Sequence, residues 1–272
     1  MLDIGNLSIF AFALTLVIFN SKLITSQEVE NEREFDYWLG SEKGPHKWGE
    51  IHKEWHACKN GEMQSPIDLL HKKVEILQKY GKLKRNYTAS NATLKNRGHD
   101  IMLQWKGDAG SLKINGTEYM LQQCHWHSPS EHTVNGKRYD LEMHLVHLDP
   151  NNTIAVVGVL FEIGQPDPFL SELENNIWAI GDSHEEVDVG VIDPRHIKLG
   201  GKQYYRYMGS LTVPPCTEGV IWIMNKRVRP ISREQVQLLR TAVHDYAKQN
   251  ARPLQSLNNR PIRLVDPTIL QG

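Results

Sequence analysis

An excess of charge of either sign is what this 272-residue sequence lacks first: 31 Lys and Arg against 32 Asp and Glu leave a formal net charge of −1. A nucleic-acid or membrane-surface partner normally goes with a net basic face, so neither is expected. Long apolar runs are also scarce. The single one, Leu7–Phe19, is broken only by Ser8 and Thr15 and falls short of the about 20 residues that a spanning helix needs. It has the character of a secretory signal-peptide core, with Thr25 and Ser26 as small cleavage positions, although Asp3 is the only charged side chain ahead of it. The expected organisation is a signal peptide over 1–26 and a mature domain over 27–272, with an uncleaved anchor as the alternative. Repeats, low-complexity tracts and linkers are absent over 35–265, which argues for one domain. No His-Glu-x-x-His run occurs, so a zinc protease of that type has no support.

Cysteine is scarce too. Three residues allow one disulfide and one odd thiol in an oxidising compartment. Cys124 lies inside an apparent strand and suits burial as a small hydrophobe, which leaves Cys58 and Cys216 as the expected bridge. Four glycosylation sequons, at Asn86, Asn91, Asn115 and Asn151, agree with a secretory route.

What is present is alternation. Asp100–Trp105, Ser111–Ile114, Glu118–His127, Tyr139–His147, Ile154–Ile163, Tyr204–Leu211 and Val220–Met224 read as strands between turn signals. Helical spacing is limited to Phe169–Trp178 and Ser232–Gln249, the latter opened by a Ser232/Gln235 capping box. Residues 35–60 read as an irregular arm, and His184-Glu185-Glu186 as an acidic loop. The chain is therefore mainly β.

On a strand, alternate residues share a face. Gln123, His125 and His127 point one way and Cys124 and Trp126 the other. Two imidazoles so spaced are able to converge on one ion or to be two unrelated strand histidines. In Asp140–His147, Glu142, His144 and Val146 share one face, while His147 falls on the other with Leu141, Met143 and Leu145. A carboxylate two residues from a histidine is placed to accept that ring's second N–H, and Gln123 has the same relation to His125. His144 is thus the better third ligand, and His147 a buried structural histidine. Three histidines without thiolate or carboxylate form a zinc pattern that leaves one coordination position for water.

Further motifs extend the pattern: Gly44-Pro45, Trp48, Gln64-Ser65-Pro66-Ile67-Asp68, Gly98-His99, Ser130-Glu131-His132-Thr133, Leu211-Thr212-x-Pro214-Pro215, Trp222 and Asn258-Asn259-Arg260. In this order, over about 34–265, the chain resembles the alpha-class carbonic anhydrases of plant or extracellular type. The resemblance implies a single domain built on a large twisted, mostly antiparallel central sheet with a few peripheral helices. It implies Zn2+ on His125, His127 and His144, with Gln123, Glu142 and Asn259 behind the ligands, and reversible hydration of carbon dioxide to bicarbonate and a proton by zinc-bound hydroxide. It assigns Thr212 to orienting the nucleophile, Glu131 to holding Thr212, His99 to shuttling protons and Tyr37 to ordering the water chain. Substrate would meet Thr212, Val213, Val146, Val156, Leu211 and Trp222, with Val213 standing where a small hydroxyl residue is common. The family's extracellular disulfide also falls on Cys58 and Cys216. Alternatives are a catalytically silent binding or storage member of the family, and ester hydrolysis as a side activity. The expected partner is a small molecule only, the expected compartment secretory or extracellular (alternatively the chloroplast stroma reached through the secretory route), and monomer or dimer stays open.

Overall fold

β-Branched and aromatic residues at alternate positions decide most of this molecule, because each such segment can bury one face only by pairing into a sheet. The structure, a computed structural model, describes residues 28, 34–77, 83–181, 186–243 and 247–266. The leader over 1–26, its cleavage positions Thr25 and Ser26, and His184-Glu185 lie outside the described residues. Glu186, grouped with that loop by sequence, instead opens a strand and pairs with Lys106 Nζ at 2.8 Å.

Ten strands form the main path: β1 (Val74–Leu77), β2 (Ser90–Asn96), β3 (Ile101–Trp105), β4 (Thr117–His127), β5 (Leu141–Leu148), β6 (Ile154–Ile163), β7 (Glu186–Ile192), β8 (Tyr204–Ser210), β9 (Glu218–Asn225) and β10 (Ile262–Val265). They are hydrogen-bonded in the order β7-β2-β3-β4-β5-β6-β9-β8-β10-β1 within a 13-stranded sheet. Pairs along this path are antiparallel except β6–β9 and β10–β1. A mainly β, mostly antiparallel architecture is thus what forms. β2 and β7 were not legible as strands. They lie at one end of the path, where Ala92 and Leu94 are buried but their neighbours face outward as polar residues.

The sheet separates two apolar clusters. The larger takes Cys124, Trp126, Met143, Leu145, Val157 and Val159 from the central strands and packs them with Phe35, Trp48 and Trp55 of the arm and with Val236 and Leu239. The smaller lies on the opposite face around Val146, Val156, Leu160, Tyr207, Leu211 and Trp222. Each fully buried side chain of this size stabilises by about 1.5–3 kcal/mol relative to exposure. Among the described residues no helix is long and apolar enough to cross a membrane.

Helices are shorter than their spacing predicts. The second is Arg233–Ala242, and its capping box forms: Gln235 N donates to Ser232 Oγ at 3.1 Å and Ser232 N to Gln235 Oε1 at 3.2 Å. The first splits into Pro168–Ser171 and Glu174–Ala179. Leu170, Leu173 and Ile177 are buried, but Trp178, expected on the same face, is 79% exposed. The split reorients the second turn, so a residue adjacent to Ile177 points to solvent.

Cys58 and Cys216 are bonded, with Cα atoms 5.0 Å apart across 158 residues of sequence, and Cys124 is a free buried thiol. On a loop-entropy basis a bridge of this span contributes about 4–5 kcal/mol. Cys58→Ser with Cys216→Ser should lower the unfolding free energy by roughly that amount in urea titrations, and an unchanged midpoint would show that the bridge constrains nothing.

His147 lies on the larger-core side, as its parity predicts. Tyr87 OH donates to its Nε2 at 2.8 Å and its Nδ1–H donates to Ala155 O at 3.2 Å. The bond from Tyr87 needs a neutral ring, and burial pushes its pKa down to about 4. The unfolded ring takes a proton near 6.5. Between these values the unfolded chain binds more protons, so stability falls as pH drops through that window, by about 3 kcal/mol at most. His147→Gln should lose less stability than wild type between pH 7.5 and pH 4.5; parallel losses would remove His147 from the acid response.

Candidate metal centre

Cross-strand register brings the histidines together. β4 and β5 run antiparallel with His125 opposite His144 and His127 opposite Glu142. The register shifts between Val146 and His147, which face Gln123 and Leu121, so Gln122 is an extra residue on β4. This bulge keeps Leu121 and Cys124 in the same core although they are three residues apart. Gly158 of β6 lies opposite His144, and a Cβ there would come within 2.3 Å of Met224 Sδ.

Each ring is held by its outer nitrogen. His125 Nδ1–H donates to Gln123 Oε1 at 2.8 Å, and His144 Nε2–H to Glu142 Oε1 at 2.7 Å. His127 Nδ1–H donates to the backbone oxygen of Asn250 at 2.8 Å. The remaining nitrogens, His125 Nε2, His127 Nε2 and His144 Nδ1, face one another, with His144 Nδ1 3.3 Å from His125 Nε2. The three residues offer ligand atoms within 4.8 Å of one another, all buried. His127 Nε2 has no hydrogen-bond partner among the described residues. Burial pushes His125 down to about 3, so it is neutral at physiological pH, the protonation state a metal ligand requires. The donor set fits zinc: three imidazoles with fixed tautomers and one unpartnered buried nitrogen.

Glu142 is itself clamped. His132 donates to it twice, through its backbone N–H at 2.8 Å and Nδ1–H at 2.7 Å. Tyr207 OH donates to His132 Nε2 at 2.6 Å, and Ser65 Oγ lies 2.8 Å from Tyr207 OH. His132 and Tyr207 were missed because their spacing relates them to no ligand; only the β8 position of Tyr207 brings them together.

Asn259 does not stand behind a ligand. It occupies an exposed turn with φ 60°, and Asn250 takes the place expected for it. Asn250 also accepts from Ser128 N with Oδ1 at 2.7 Å and donates through Nδ2 to His99 O at 2.8 Å. A backbone carbonyl carries no residue-type signal, which is why sequence could not find it.

The other expected residues divide. Val146 faces Val156 across β5–β6, Val156 faces Trp222 across β6–β9, and Trp222 faces Tyr207 across β8–β9. This apolar row continues from Gln123, and the Trp222 ring lies 4.8 Å from the His144 ring. Leu211 belongs to the same cluster, whereas Val213 packs into the larger core. Glu131 and Thr212 are both buried, but the expected Thr212-to-Glu131 bond is not made. Glu131 Oε1 accepts from Arg252 N at 2.9 Å, and Oε2, 3.7 Å from His127 Nε2, has no hydrogen-bond partner among the described residues. Tyr37 is buried; desolvation, then the Glu131 carboxylate, raise its pKa well above the ordinary phenol value. His99 is also buried, against Phe35 with ring centroids 5.0 Å apart. Neither of its ring nitrogens has a hydrogen-bond partner among the described residues, although Nε2 lies 3.7 Å from Asp100 Oδ2, and burial pushes its pKa to about 4.

A trio of imidazoles lies on the face of a large, mostly antiparallel sheet, each ring braced from behind, in an arrangement that could hold a metal ion. The profile of the eukaryotic-type carbonic anhydrases matches residues 43–266, and the chain belongs to that family. It is 54% identical over 256 residues to alpha carbonic anhydrase 7 of Arabidopsis thaliana, covering 94% of this chain and 93% of that protein. Among solved structures, dioscorin complexed with ascorbate matches with a TM-score of 0.83 at 48% identity, covering 85% of this chain and 97% of that one. The alpha-carbonic anhydrase from Thermovibrio ammonificans, in complex with the inhibitor sulfanilamide, matches with a TM-score of 0.76 at 36% identity over 84% and 98%.

Gln123→Ala removes the acceptor that orients His125. Zinc affinity in competition with a fluorescent chelator should fall about 10–100-fold; full retention would mean Gln123 does not brace the ligand.

Proposed function

We propose that this chain is a secretory zinc-dependent carbonic anhydrase that reversibly hydrates carbon dioxide to bicarbonate and a proton. The observation that carries this reading is the convergence of His125 Nε2, His127 Nε2 and His144 Nδ1, each ring committed elsewhere by its other nitrogen. Those three residues would hold the ion. When bound, zinc supplies Lewis acidity that lowers the pKa of water toward about 7, a value known from carbonic anhydrases themselves.

The protein's own groups do the rest. Val146, Val156, Leu211 and Trp222 provide an apolar wall beside His144, where an uncharged linear substrate is bound without competing hydrogen bonds. Thr212 is both donor and acceptor, and Glu131 is acceptor-only. A donation from Thr212 to the unpartnered Glu131 Oε2 would leave the hydroxyl lone pairs to orient the nucleophile. His99, buried as described, carries no proton at neutral pH; its shuttle role requires the ring to turn outward, where its pKa returns to about 6.5. Tyr37 would order water between them. Val213, packed into the larger core, lies away from this apolar wall.

The bridge Cys58–Cys216 and the exposure of Asn86, Asn91, Asn115 and Asn151 support the secretory assignment. The second reading, a silent binding or storage member, draws on the likeness to dioscorin. The braced histidine trio argues for the enzyme.

Stopped-flow carbon dioxide hydration with and without a zinc chelator tests the proposal. Activity should appear with one zinc per chain and vanish with the chelator, and His144→Ala should lose both metal and hydration. Full activity in zinc-free protein would sink the mechanism. His99→Ala should slow turnover mainly in weak buffer, with imidazole restoring part of the rate; an unchanged rate in weak buffer would remove His99 from proton transfer.

A further inference from the structure

One carboxylate in the cleft comes from outside the family match over 43–266. Glu28, 9% exposed in its side chain, reaches the metal centre. Its Oε2 accepts from Arg97 Nη1 at 2.7 Å and from Gln123 Nε2 at 3.4 Å, and its Oε1 lies 3.7 Å from His125 Nε2. That nitrogen is the one His125 turns toward the other two histidines.

Arg97 is fixed before Glu28 arrives. Its Nε and Nη2 form a two-pronged contact with the Asp100 carboxylate at 2.7 and 2.5 Å, and its side chain is 2% exposed. The fork therefore has Nη1 left to present to the cleft. Without Glu28 this N–H would be left to another acceptor beside the centre. Arg97 and Gln123 together thus form a polar seat for one small anion.

Glu28 is suited to be a removable occupant. Its carboxylate is separated by 69 residues from Arg97 and by 95 from Gln123, so it holds the seat through long-range contacts. Cleavage after Ser26 would make it the second residue of the mature chain. A carboxylate tethered to the domain acts at a millimolar effective concentration and competes with any free anion of similar affinity.

We propose that Arg97 and Gln123 form an anion subsite beside the histidine centre that Glu28 fills from within, and that small carboxylates and oxyanions bind there only by displacing it. The inference goes beyond the hydration reading, because the subsite is made by protein groups and is present whether or not the centre turns over carbon dioxide.

Acetate serves as the probe, titrated calorimetrically into the mature chain in both zinc-loaded and zinc-free forms. If Glu28 occupies the seat about nine-tenths of the time, Glu28→Ala should tighten acetate binding about tenfold in both forms. Adding Arg97→Lys to Glu28→Ala should abolish the gain, since a point charge does not reproduce the fork; circular dichroism checks that the double variant is folded. Equal acetate affinity in wild type and Glu28→Ala would overturn the proposal, as would a gain confined to the zinc-loaded form, which would place the anion on the metal instead. A tenfold gain in a protein that fails to hydrate carbon dioxide would keep the subsite and dismiss the enzyme reading.

Discussion

The pairing of His125 with His144 across two antiparallel strands is the constraint on which the rest of this molecule depends. A slip of one residue would turn one set of side chains to the opposite face of the sheet. Were β5 to slip, Met143 and Leu145 would leave the larger core and His144 would enter it. Burial of those apolar side chains, about 1.5–3 kcal/mol each, therefore enforces the register that the centre needs. The centre imposes little on the fold; the fold imposes its geometry on the centre.

Around that pairing, polar groups remove the remaining freedom of the rings. Gln123, the Asn250 carbonyl and Glu142 each take one N–H, and Glu142 is held in turn by His132 and Tyr207. Arg252 ties this inner structure to the arm. Its backbone N–H supports Glu131, while its guanidinium donates to Gln64 Oε1, Ser65 O and Cys58 O and lies over the Trp48 ring. Because Cys58 is also bonded to Cys216, four residues past Thr212, arm and Thr212 segment are held as one frame.

How much of this was legible in sequence depended on range. β6 was bounded at both ends because Ile154–Ile163 is apolar between clear turn signals, and the separation of His144 from His147 followed from strand parity alone. Parity succeeded because the bulge at Gln122 falls just before the histidines; two residues later it would have inverted the assignment. β2 and β7 were lost because an end strand with one solvated face does not read as apolar. Trp178 misled because helical spacing presumes a continuous helix. Asn250 was invisible for a chemical reason, since it acts on His127 through a carbonyl that every residue has. Glu28, Arg97 and Gln123 share no spacing, and only the folded chain brings them together.

Asn250 also bears on biogenesis. His125, His127 and His144 leave the ribosome long before the carbonyl that braces His127, with roughly 100 residues made in between, about 5–20 s at ordinary elongation rates. During that interval the nascent chain holds three histidines but not the finished cage. The brace on His127 therefore forms only when the chain is nearly complete, so the geometry of the trio belongs to the finished fold and not to the strand pair alone.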